Sequence, residues 1–597
     1  MRSRLFFALV TLCILAGCVS NYIEQDTIEK FSIKAIIEGN ETKTSVTDNG
    51  SFSWSTGDKV WLQTSTGSAI GNVTPSDIQS VATITCEQSV DEIIGVAIYP
   101  YNENHRATTV VLPTSYNLES NTNETNAIMY GTMVDGEMKF VHLAGVMRFK
   151  FTDVPMGINK FELTLDKKIN GKFSVSSNNL VIETKETQDN SERTITLNFS
   201  PLESKSDICL NVPLPVGIYN GLYFTLSDSN GVVFRYSNAV TNVIERTSLI
   251  LMPTISLNAP AAPDGYTNLS SNGTANCYIV SASGKYCFRL IKGNGMAKIA
   301  NAAKAEVLWE SRNYGTFNAG DFIKQVNIQG DFVTFETPSS FKEGNALIAV
   351  KDSTGTILWS WHIWLTDKPK EQVYYRNAGV MMDRNVGAMD VYDLDGLGMM
   401  YQWGRKDPFL PSRNFKKGVS ETISSTGSFK DVKSTETTGT IQYAIENPTS
   451  FITADYDWLF GADLGSNDNR WSNYKTIYDP CPPGWRVPDS TLWMTALNKK
   501  PSLNDPYCEI DINFVSDMYN AGTSIKFCDE YSWYPAQGSK VSANVVTWPG
   551  YSGDYWSCNS TTSYQAFKLQ FDYNYETCFL KAGIWRVDGQ PVRCMKE

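Results

Sequence analysis

The sequence of 597 residues contains few histidines. The three histidines, His105, His142 and His362, are too far apart for an HExxH motif or another short zinc-ligand spacing. The chain also lacks a GxSxG nucleophile elbow, a GxxxxGK[ST] phosphate loop and a GxGxxG dinucleotide fingerprint. These absences argue against the commonest enzyme classes, so we expect a non-enzymatic protein with no metal site and no cofactor.

Positive charge is also scarce. Lys and Arg number 51 against 63 Asp and Glu, which gives a net charge of −12. Nucleic-acid binding requires clustered cations that neutralise phosphates, so a nucleic-acid partner is excluded. Charged residues make up only 19% of the chain and aromatic residues 12%, the reverse of a disordered sequence. The length and this composition predict several folded domains.

Apolar runs are short everywhere and are most conspicuous near the start. Leu5–Ala16 is too short to span a bilayer, which takes about 20 residues, and is typical of a secretory signal peptide. The ending Leu15-Ala16-Gly17-Cys18 resembles a bacterial lipobox. The resemblance implies cleavage before Cys18 and lipidation there, with diacylglycerol on the thiol and an acyl chain such as palmitate on the amino group. We therefore predict a lipoprotein signal peptide over residues 1–17, a lipidated tether over 18–30, and an outer-membrane location.

No CxxC pair occurs among the 12 cysteines, which argues against a zinc ribbon or a thioredoxin-type site. Six cysteines lie between Cys481 and Cys594, and in an oxidising compartment they form up to three disulfides. We expect the additional thiols of this group to pair structurally rather than to act as nucleophiles. The sequence does not determine the pairing of four of them: Cys508, Cys528, Cys558 and Cys578.

Between residues 31 and 370 the chain is patterned as short strands without a long helical period. Apolar residues at Phe31, Ile33, Ala35 and Ile37 alternate with polar ones, as in a half-buried strand. Regularly spaced short strands separated by turn residues predict a mainly β fold with tandem β-sandwich domains. Similar strand-like runs are Lys59–Gln63, Ile93–Tyr101, Val146–Phe151, Asn345–Lys351 and Thr356–Leu365, the last two flanking a turn as in a hairpin.

Turn-rich and Pro-rich segments suggest where the domains divide. Asp153–Gly157 interrupts the strand pattern, the stretch 258–265 is rich in Pro and small residues, and Asp367–Lys370 forms a further junction. The predicted domains are a first sandwich over 31–152, a second over 153–257, an immunoglobulin-like sandwich over 266–366, and a different module over 371–597.

The stretch 371–597, hereafter the C-terminal module, has its own texture. It contains nine of the 15 Trp residues and many Gly and Asn residues. Asp489–Asn498 has helical propensity, with Asp489 or Ser490 as the cap. The remainder alternates short strands with irregular segments.

Three segments of the N-terminal part stand out: Phe52–Val60, Ala97–Tyr101 and His142–Phe151. Within and beside the first of them, Trp54 and Trp61 are expected to anchor the core, and Gly57-Asp58 to form a tight turn between two strands. Through these segments the N-terminal part resembles the fimbrillin-like proteins of Bacteroides-type bacteria, whose sandwiches are transthyretin-like.

The C-terminal module contains five motifs in a fixed order: Asp383–Ala388, Gly398–Arg405, Tyr478–Pro488, Tyr555–Ser557 and Pro591–Cys594. Through these motifs it resembles the major paralogous domain first named for Fibrobacter succinogenes. The resemblance implies a C-type-lectin-like fold, a small mixed α/β unit with long loops, and a disulfide between Cys481 and Cys594.

Exposed aromatic rings in loops can stack on sugars, and this makes Trp533 and Trp548 the candidate ligand-binding residues. Trp403, Trp485 and Trp556 lie inside the family motifs and are expected in the core. The module lacks the motifs of a calcium-dependent sugar site, and we interpret Asp393–Gly396 as a turn.

The leading functional hypothesis is a cell-surface lipoprotein adhesin, a tip or accessory fimbrial subunit whose lectin-like module binds a host or glycan ligand. Its partners are then the membrane, through the lipid, and other fimbrial subunits, through β-strand exchange. The resemblance to pilins that lose an N-terminal strand by cleavage after a basic residue implies Lys30 or Lys43 as the cleavage site here. Both also fit ordinary strand-edge or turn lysines, and we favour that interpretation. The alternative is a glycan-capturing lipoprotein of a nutrient-uptake system.

Overall fold

The computed structural model describes residues 30–37, 54–78, 80–89, 93–118, 127–176, 179–187, 189–258, 260–415, 422–461, 470–497, 513–516, 521–561, 564–572 and 577–597. The predicted signal peptide, Cys18, Lys43 and Cys508 lie outside these ranges. Within them, no helix is long and apolar enough to cross a membrane.

The chain divides into two compact units, the first made of residues 1–110 and 128–141. In this first unit β1, β4, β3, β2, β5, β8 and β9 are neighbours in that order, and the sheet closes on itself because β9 pairs with β1 in parallel. Up to residue 142 the strands are β1 (Lys30–Ile37), β2 (Lys59–Thr64), β3 (Ser68–Pro75), β4 (Val81–Ser89), β5 (Ile93–Tyr99), β6 (Thr109–Leu112), β7 (Ser115–Asn117), β8 (Met129–Val134) and β9 (Glu137–His142).

Trp54 centres the core of the first unit. Its ring meets Tyr99 and Phe140 edge to face, with ring centroids 5.5 and 5.1 Å apart. The turn after it is tied by Asp58, whose carboxylate accepts hydrogen bonds from the Ser55 amide at 2.8 Å and the Tyr99 hydroxyl at 3.1 Å. Gly57 supplies the positive φ of +96° that this turn needs. The predicted tight turn is confirmed. The expected burial of Trp54 and Trp61 is confirmed as well.

The second unit comprises residues 111–127 and 142–597 and begins with a sandwich of two sheets. One sheet contains β14, β10 and β17, with β18 also on β10, and the other has the order β16, β15, β11, β13, β7. The strands are β10 (Gly145–Val154), β11 (Lys160–Leu165), β12 (Gly171–Ser174), β13 (Thr194–Asn198), β14 (Ser206–Leu214), β15 (Gly217–Asp228), β16 (Gly231–Ile244), β17 (Leu249–Leu251) and β18 (Ile255–Ser256).

This arrangement corrects the boundary expected at residue 152. The strand β10 belongs to the second sandwich, because it pairs with β14 along its length and its Phe149 ring packs on Phe161 and Phe224 at 5.0 and 5.4 Å. The division therefore falls near residue 142. The break at Asp153–Gly157 is a turn inside the second sandwich, with Asp153 at φ +60°.

Two four-stranded sheets follow between Thr267 and Leu365, the range predicted for the third sandwich. Their orders are β19, β21, β24, β23 and β20, β26, β25, β22, and the predicted hairpin is present as the antiparallel pair β25–β26. The strands are β19 (Thr267–Asn268), β20 (Cys277–Val280), β21 (Lys285–Arg289), β22 (Lys304–Ser311), β23 (Lys324–Gln329), β24 (Phe332–Glu336), β25 (Gly344–Lys351) and β26 (Ile357–Leu365).

Among its described residues, the C-terminal module has many short strands and two α-helices of six residues each. The predicted helix is confirmed as α2 (Leu492–Leu497), and the Asp489 carboxylate accepts a hydrogen bond from the Thr491 amide at 3.1 Å just before it. The predicted last residue, Asn498, lies outside the described residues. The elements are β27 (Glu371–Tyr374), β28 (Gly379–Met382), β29 (Met400–Gln402), β30 (Lys430–Lys433), α1 (Ile441–Glu446), β31 (Ser450–Thr453), β32 (Trp485–Arg486), α2 (Leu492–Leu497), β33 (Asn513–Ser516), β34 (Ala521–Ile525), β35 (Ser532–Pro535), β36 (Ser539–Ser542), β37 (Val545–Thr547), β38 (Ser552–Ser560), β39 (Gln565–Asp572), β40 (Thr577–Trp585), β41 (Gly589–Pro591) and β42 (Met595–Lys596).

The third sandwich and the C-terminal module share a hydrophobic core. Both faces of β26 are buried: Trp361 and Ile363 pack inside the sandwich, whereas Trp364 packs in a cluster with Trp403 and Val592 of the module. Polar bonds cross the same junction. The Trp364 indole donates to the Ala388 carbonyl at 2.8 Å. Asp367–Lys370, the predicted junction, therefore joins two parts of the chain that share one core.

Candidate functional site

Trp533, one of the two predicted ligand-binding residues, lies in the core. It is only 2% exposed, within a strand, β35, whose residues are all buried. Its ring packs against Tyr392, with 5.6 Å between centroids, and its carbonyl accepts from Arg593 Nη2 at 2.6 Å. A ring without free faces cannot stack on a sugar, so the prediction is wrong for Trp533.

Trp548 lies at the surface, with 64% of the residue exposed. It occupies a turn after β37 at φ +59°, and its ring meets Tyr551 edge to face with 6.0 Å between centroids. This ring is accessible, and its role in ligand binding stays a prediction.

The motif tryptophans behave differently from these two. Trp403 and Trp556 are completely buried, and their indole groups donate to the carbonyls of Ser557 at 2.9 Å and Tyr401 at 2.8 Å. The expectation of a core role is confirmed for both. Trp485 is half-buried beside this core.

Three further aromatic rings meet at the surface of the C-terminal module. Tyr456, Tyr564 and Trp585, hereafter the aromatic triad, are 49%, 42% and 38% exposed. The Tyr456 ring lies between the other two, with centroids 5.5 Å from Tyr564 and 4.8 Å from Trp585. Contiguous exposed aromatic surface of this kind is uncommon away from binding sites.

Backbone hydrogen bonds hold the three rings together. The Val587 amide donates to the Tyr456 carbonyl and the Arg586 amide to the Tyr564 carbonyl, both at 3.0 Å. The two residues that follow Trp585 thus hydrogen-bond, through their backbone amides, to the residues that carry the other two rings. The rings are positioned by paired backbone rather than by their own contacts alone.

A buried ionic network lies immediately next to the triad in the chain. Asp457, which follows Tyr456, accepts hydrogen bonds from Arg470 Nη1 at 2.9 Å and Arg586 Nη1 at 3.3 Å. The guanidinium groups of Arg470 and Arg586 lie 5.2 and 4.8 Å from the Trp403 ring centre. Since one carboxylate joins two arginines over an aromatic face, the network fixes the backbone next to two triad rings.

The triad was not predicted from the sequence. Its members come from three segments, the loop after β31, the residue before β39 and the last residue of β40, and nothing local marks them as neighbours. The available signal was Trp585 itself, an aromatic residue at the exposed end of a strand whose residues alternate between buried and partly exposed.

The arrangement gives a water-exposed aromatic surface. Asp455, which precedes Tyr456 in the chain, is exposed. Aromatic faces bind apolar C–H surfaces, and an exposed carboxylate accepts hydrogen bonds from hydroxyl groups. Both features suit a hydroxyl-rich ligand with apolar faces, which describes a sugar.

A second cluster, at the shared core, contains cysteine, histidine and asparagine. His362 Nε2 lies 2.8 Å from Asn345 Oδ1, and Asn345 Nδ2 donates to the Gly387 carbonyl at 2.9 Å, so the histidine proton is assigned to Nε2. Nδ1 is then an acceptor, 3.6 Å from Cys277 Sγ and 3.5 Å from the Tyr401 hydroxyl.

This cluster lacks the properties of a nucleophile. Desolvation raises the pKa of the Cys277 thiol and lowers the pKa of His362 to about 3, so both are neutral at neutral pH. The two residues are at most 1% exposed. A cysteine nucleophile needs an accessible thiolate, and here neither condition is met. We interpret the cluster as a satisfied polar network within the core.

The structure joins Cys481 and Cys594 by a disulfide, the pair implied by the resemblance. Pairing is not the role of Cys528 and Cys558, whose thiols instead donate to the Glu530 carbonyl at 3.1 Å and Asn473 Oδ1 at 3.2 Å. The expectation that the additional thiols are disulfides is therefore wrong for these two.

Metal-ligating residues do not cluster in the part of the chain that the structure describes: no group of three or more His, Cys, Asp or Glu is arranged to hold an ion. Leu394–Gly396 forms a 3₁₀ turn preceded by Asp393 at φ +56°. The interpretation of this segment as a turn is confirmed.

No family model matches the chain, and no curated protein matches it in sequence. Among solved structures it is similar to a candidate cell adhesion protein from Bacteroides ovatus, at 10% identity and TM-score 0.26, over 39% of this chain and 94% of that one. A second candidate cell adhesion protein, from Bacteroides fragilis, aligns at 7% identity and TM-score 0.22 over 39% and 95% of the two chains. The tip fimbrial protein Mfa3 from Porphyromonas gingivalis, truncated at its C-terminus, aligns at 9% identity and TM-score 0.17 over 35% and 82%.

Proposed function

We propose that this chain is a cell-surface adhesin, tethered through lipid on Cys18, whose C-terminal module binds a glycan at the aromatic triad. The observation that carries the proposal is the exposure of Tyr456, Tyr564 and Trp585 as one contiguous surface. Adhesion requires an accessible binding surface on a tethered chain, and the triad supplies that surface.

The fixed geometry of the triad favours binding. Rings held by paired backbone lose little conformational freedom when a ligand is bound, so less of the interaction energy is spent on ordering. Aromatic residues of this type often contribute most of the binding energy at an interface. A lectin-like role for the C-terminal module is part of the same proposal.

We place the chain at the tip of a fimbrium or in an accessory position. A subunit that polymerises by strand exchange donates a single strand that the next subunit accepts. Here the second sandwich is followed by a further sandwich and the C-terminal module rather than by such a strand. This arrangement favours a subunit that does not extend the filament. Uniform filaments formed by the purified chain alone would contradict this placement.

The proposed site is tested by glycan-array binding of the unlipidated chain without Cys18, residues 19–597, and of two single variants, Trp585→Ala and Tyr456→Ala. We expect the wild type to bind a defined set of glycans and both variants to lose at least tenfold in affinity. Tyr531→Ala is the matched control, because it removes a ring of comparable exposure, 43%, that lies outside the triad. Absence of binding by the wild type, or equal binding by the triad variants, would contradict the proposal.

A glycan-capturing lipoprotein of a nutrient-uptake system would use the same surface. The two functions differ in their assembly. Recovery of the chain in purified fimbriae from the producing cell supports the adhesin, whereas its recovery only with outer-membrane uptake components supports the alternative.

A further inference from the structure

Lys568 and Asp554 form a buried, close pair in the C-terminal module. Lys568 Nζ lies 2.5 Å from Asp554 Oδ1, and the two side chains are only 3% and 4% exposed. The residues belong to adjacent antiparallel strands, β39 and β38, in which Lys568 is opposite Trp556. Because Asp554 lies two residues from Trp556, the two side chains share one face of the hairpin as a diagonal pair.

Two further polar groups act on the same carboxylate. The Ser552 hydroxyl donates to Asp554 Oδ2 at 2.5 Å. Asp588 is close enough to interact electrostatically with both Lys568 and Asp554, and burial raises the pKa of Asp588 to about 6. A carboxyl group with this pKa takes up and releases protons near neutral pH, as a proton carrier must.

We propose that Lys568 and Asp554 condense to an intramolecular isopeptide bond. A proton passes from the Lys568 ammonium to the Asp554 carboxylate, which gives a neutral amine and a carboxylic acid. The amine lone pair attacks Asp554 Cγ, the C–O bond breaks, and one water leaves as the Nζ–Cγ amide forms. Asp588 carries the proton from nitrogen to the departing oxygen and ends in its original state. The step consumes no oxidant, reductant or other reactant.

The location favours this reaction over a permanent ion pair. Burial penalises the separated charges and so lowers the cost of the neutral pair that must react. Contact between the reacting groups replaces an encounter in solution, and effective molarities of about 10⁵–10⁸ M for such contacts outweigh the concentration of water that drives hydrolysis. Exclusion of water from the product then protects the amide.

Lys406 and Asp407 provide an internal comparison. This pair has the same 2.5 Å separation and similar burial, at 2% and 3%. The two residues are neighbours in the chain, and the charged groups that act on Lys406 are Asp407 and two cations rather than a second carboxylate. We expect Lys406 and Asp407 to remain an ion pair.

The test is the intact mass of the purified, reduced and denatured chain, residues 19–597. We expect a mass about 18 Da below that of the linear sequence, the loss of one water, and a branched proteolytic peptide that joins the segments containing Asp554 and Lys568. Lys568→Arg keeps the positive charge but lacks the amine nucleophile, and should show the full linear mass. Asp588→Asn should slow the reaction, with a mixture of the two masses in fresh preparations.

An unmodified mass for the wild type would show that the contact is an ion pair only and would overturn the proposal. A deficit that persists in Lys568→Arg would do the same, because it must then arise elsewhere in the chain. Conversion of Asp588→Asn at the wild-type rate would remove Asp588 from the mechanism.

Discussion

The carboxylate of Asp457 lies 3.3 Å from the guanidinium of Arg586, with both side chains at most 2% exposed. Tyr456 precedes one of these residues and Trp585 the other, so a single ion pair connects the two segments that carry the closest rings of the aromatic triad. The pair is thus both a structural contact and a support for the proposed binding surface.

Asp457→Asn should therefore destabilise the protein and weaken glycan binding together. Loss of the charge leaves Arg470 and Arg586 buried without their counterion, which typically costs about 3–5 kcal/mol in the free energy of unfolding. Denaturant unfolding measures this cost. Asp331→Asn, which removes a surface pair with Lys298, is the control and should change stability by less than about 1 kcal/mol. Equal effects of the two variants would contradict the interpretation of the buried network.

Replacement of Trp533 by alanine should lower the free energy of unfolding strongly, whereas replacement of Trp548 should hardly change it. Trp533 is buried, and removal of such a ring costs about 3–5 kcal/mol through lost contacts and a cavity. Trp548 is exposed, and its replacement should stay within about 0.5 kcal/mol. Chemical denaturation of both variants measures the difference, and a stable Trp533→Ala variant would show that this ring is not part of the core.

Acid should destabilise the fold through its buried histidines. Burial lowers the pKa of His362 to about 3 and of His105 and His142 to about 4, below the ordinary value of about 6.5. Between about pH 6.5 and 4 these histidines bind protons in the unfolded chain but stay neutral in the folded chain. Their contribution to the free energy of unfolding is therefore fully present above about pH 6.5 and decreases as the pH falls toward 4. Each histidine contributes a slope of about 1.4 kcal/mol per pH unit in that range.

The raised pKa of Asp588 has the opposite sign and offsets part of this slope between about pH 4 and 6. His362→Gln isolates one histidine from these other groups. Urea unfolding from pH 7 to 4.5 should show a shallower loss of stability for this variant than for the wild type. Identical slopes would mean that His362 is not buried in its neutral form.

Removal of the Cys481–Cys594 disulfide should lower stability substantially. The bond closes a separation of 113 residues, for which the chain-entropy model gives about 4–5 kcal/mol. The variant Cys481→Ser with Cys594→Ser tests this by denaturant unfolding.

The Cys558 thiol should react with a maleimide only after the chain unfolds, because burial raises its pKa and shields it from the reagent. Rapid labelling of the folded chain would contradict its burial.

Residues 371–597 alone should aggregate, whereas residues 260–597 should be soluble. Without the third sandwich the shorter fragment exposes the apolar surface around Trp403 and Val592 that Trp364 covers in the full chain. Size-exclusion chromatography of both fragments measures the difference. A monomeric, cooperatively unfolding 371–597 fragment would show that the shared core is not needed.

Local pattern predicted many individual elements but not their partners. The alternation at Phe31–Ile37 and the hairpin of β25 and β26 follow from side-chain periodicity, which is a property of each segment alone. The same periodicity located β10 without showing that it pairs with β14 rather than with the strands before it. Pairing depends on distant residues, and this is why the boundary near residue 152 was misplaced.

Burial of both faces of β26 had a visible signal in its sequence. Ile357–Leu365 is apolar at almost every position, the pattern of a strand covered on both sides, and it indicates a second layer beyond the sandwich. The aromatic triad had no comparable signal, because three distant segments create it. Trp533 and Trp548 are similar in sequence context, and only the tertiary packing distinguishes the buried ring from the exposed one.

The common core of the third sandwich and the C-terminal module also limits how the proposed adhesin can search for its target. A binding module on a flexible linker samples many orientations. The C-terminal module cannot rotate about Asp367–Lys370, because Trp364 of the third sandwich packs in the same core cluster as residues of the module. The orientation of the triad relative to the third sandwich is therefore fixed. Simultaneous attachment by neighbouring copies would then depend on angular freedom located elsewhere in each chain, and its avidity on how well that freedom matches the spacing of the glycans.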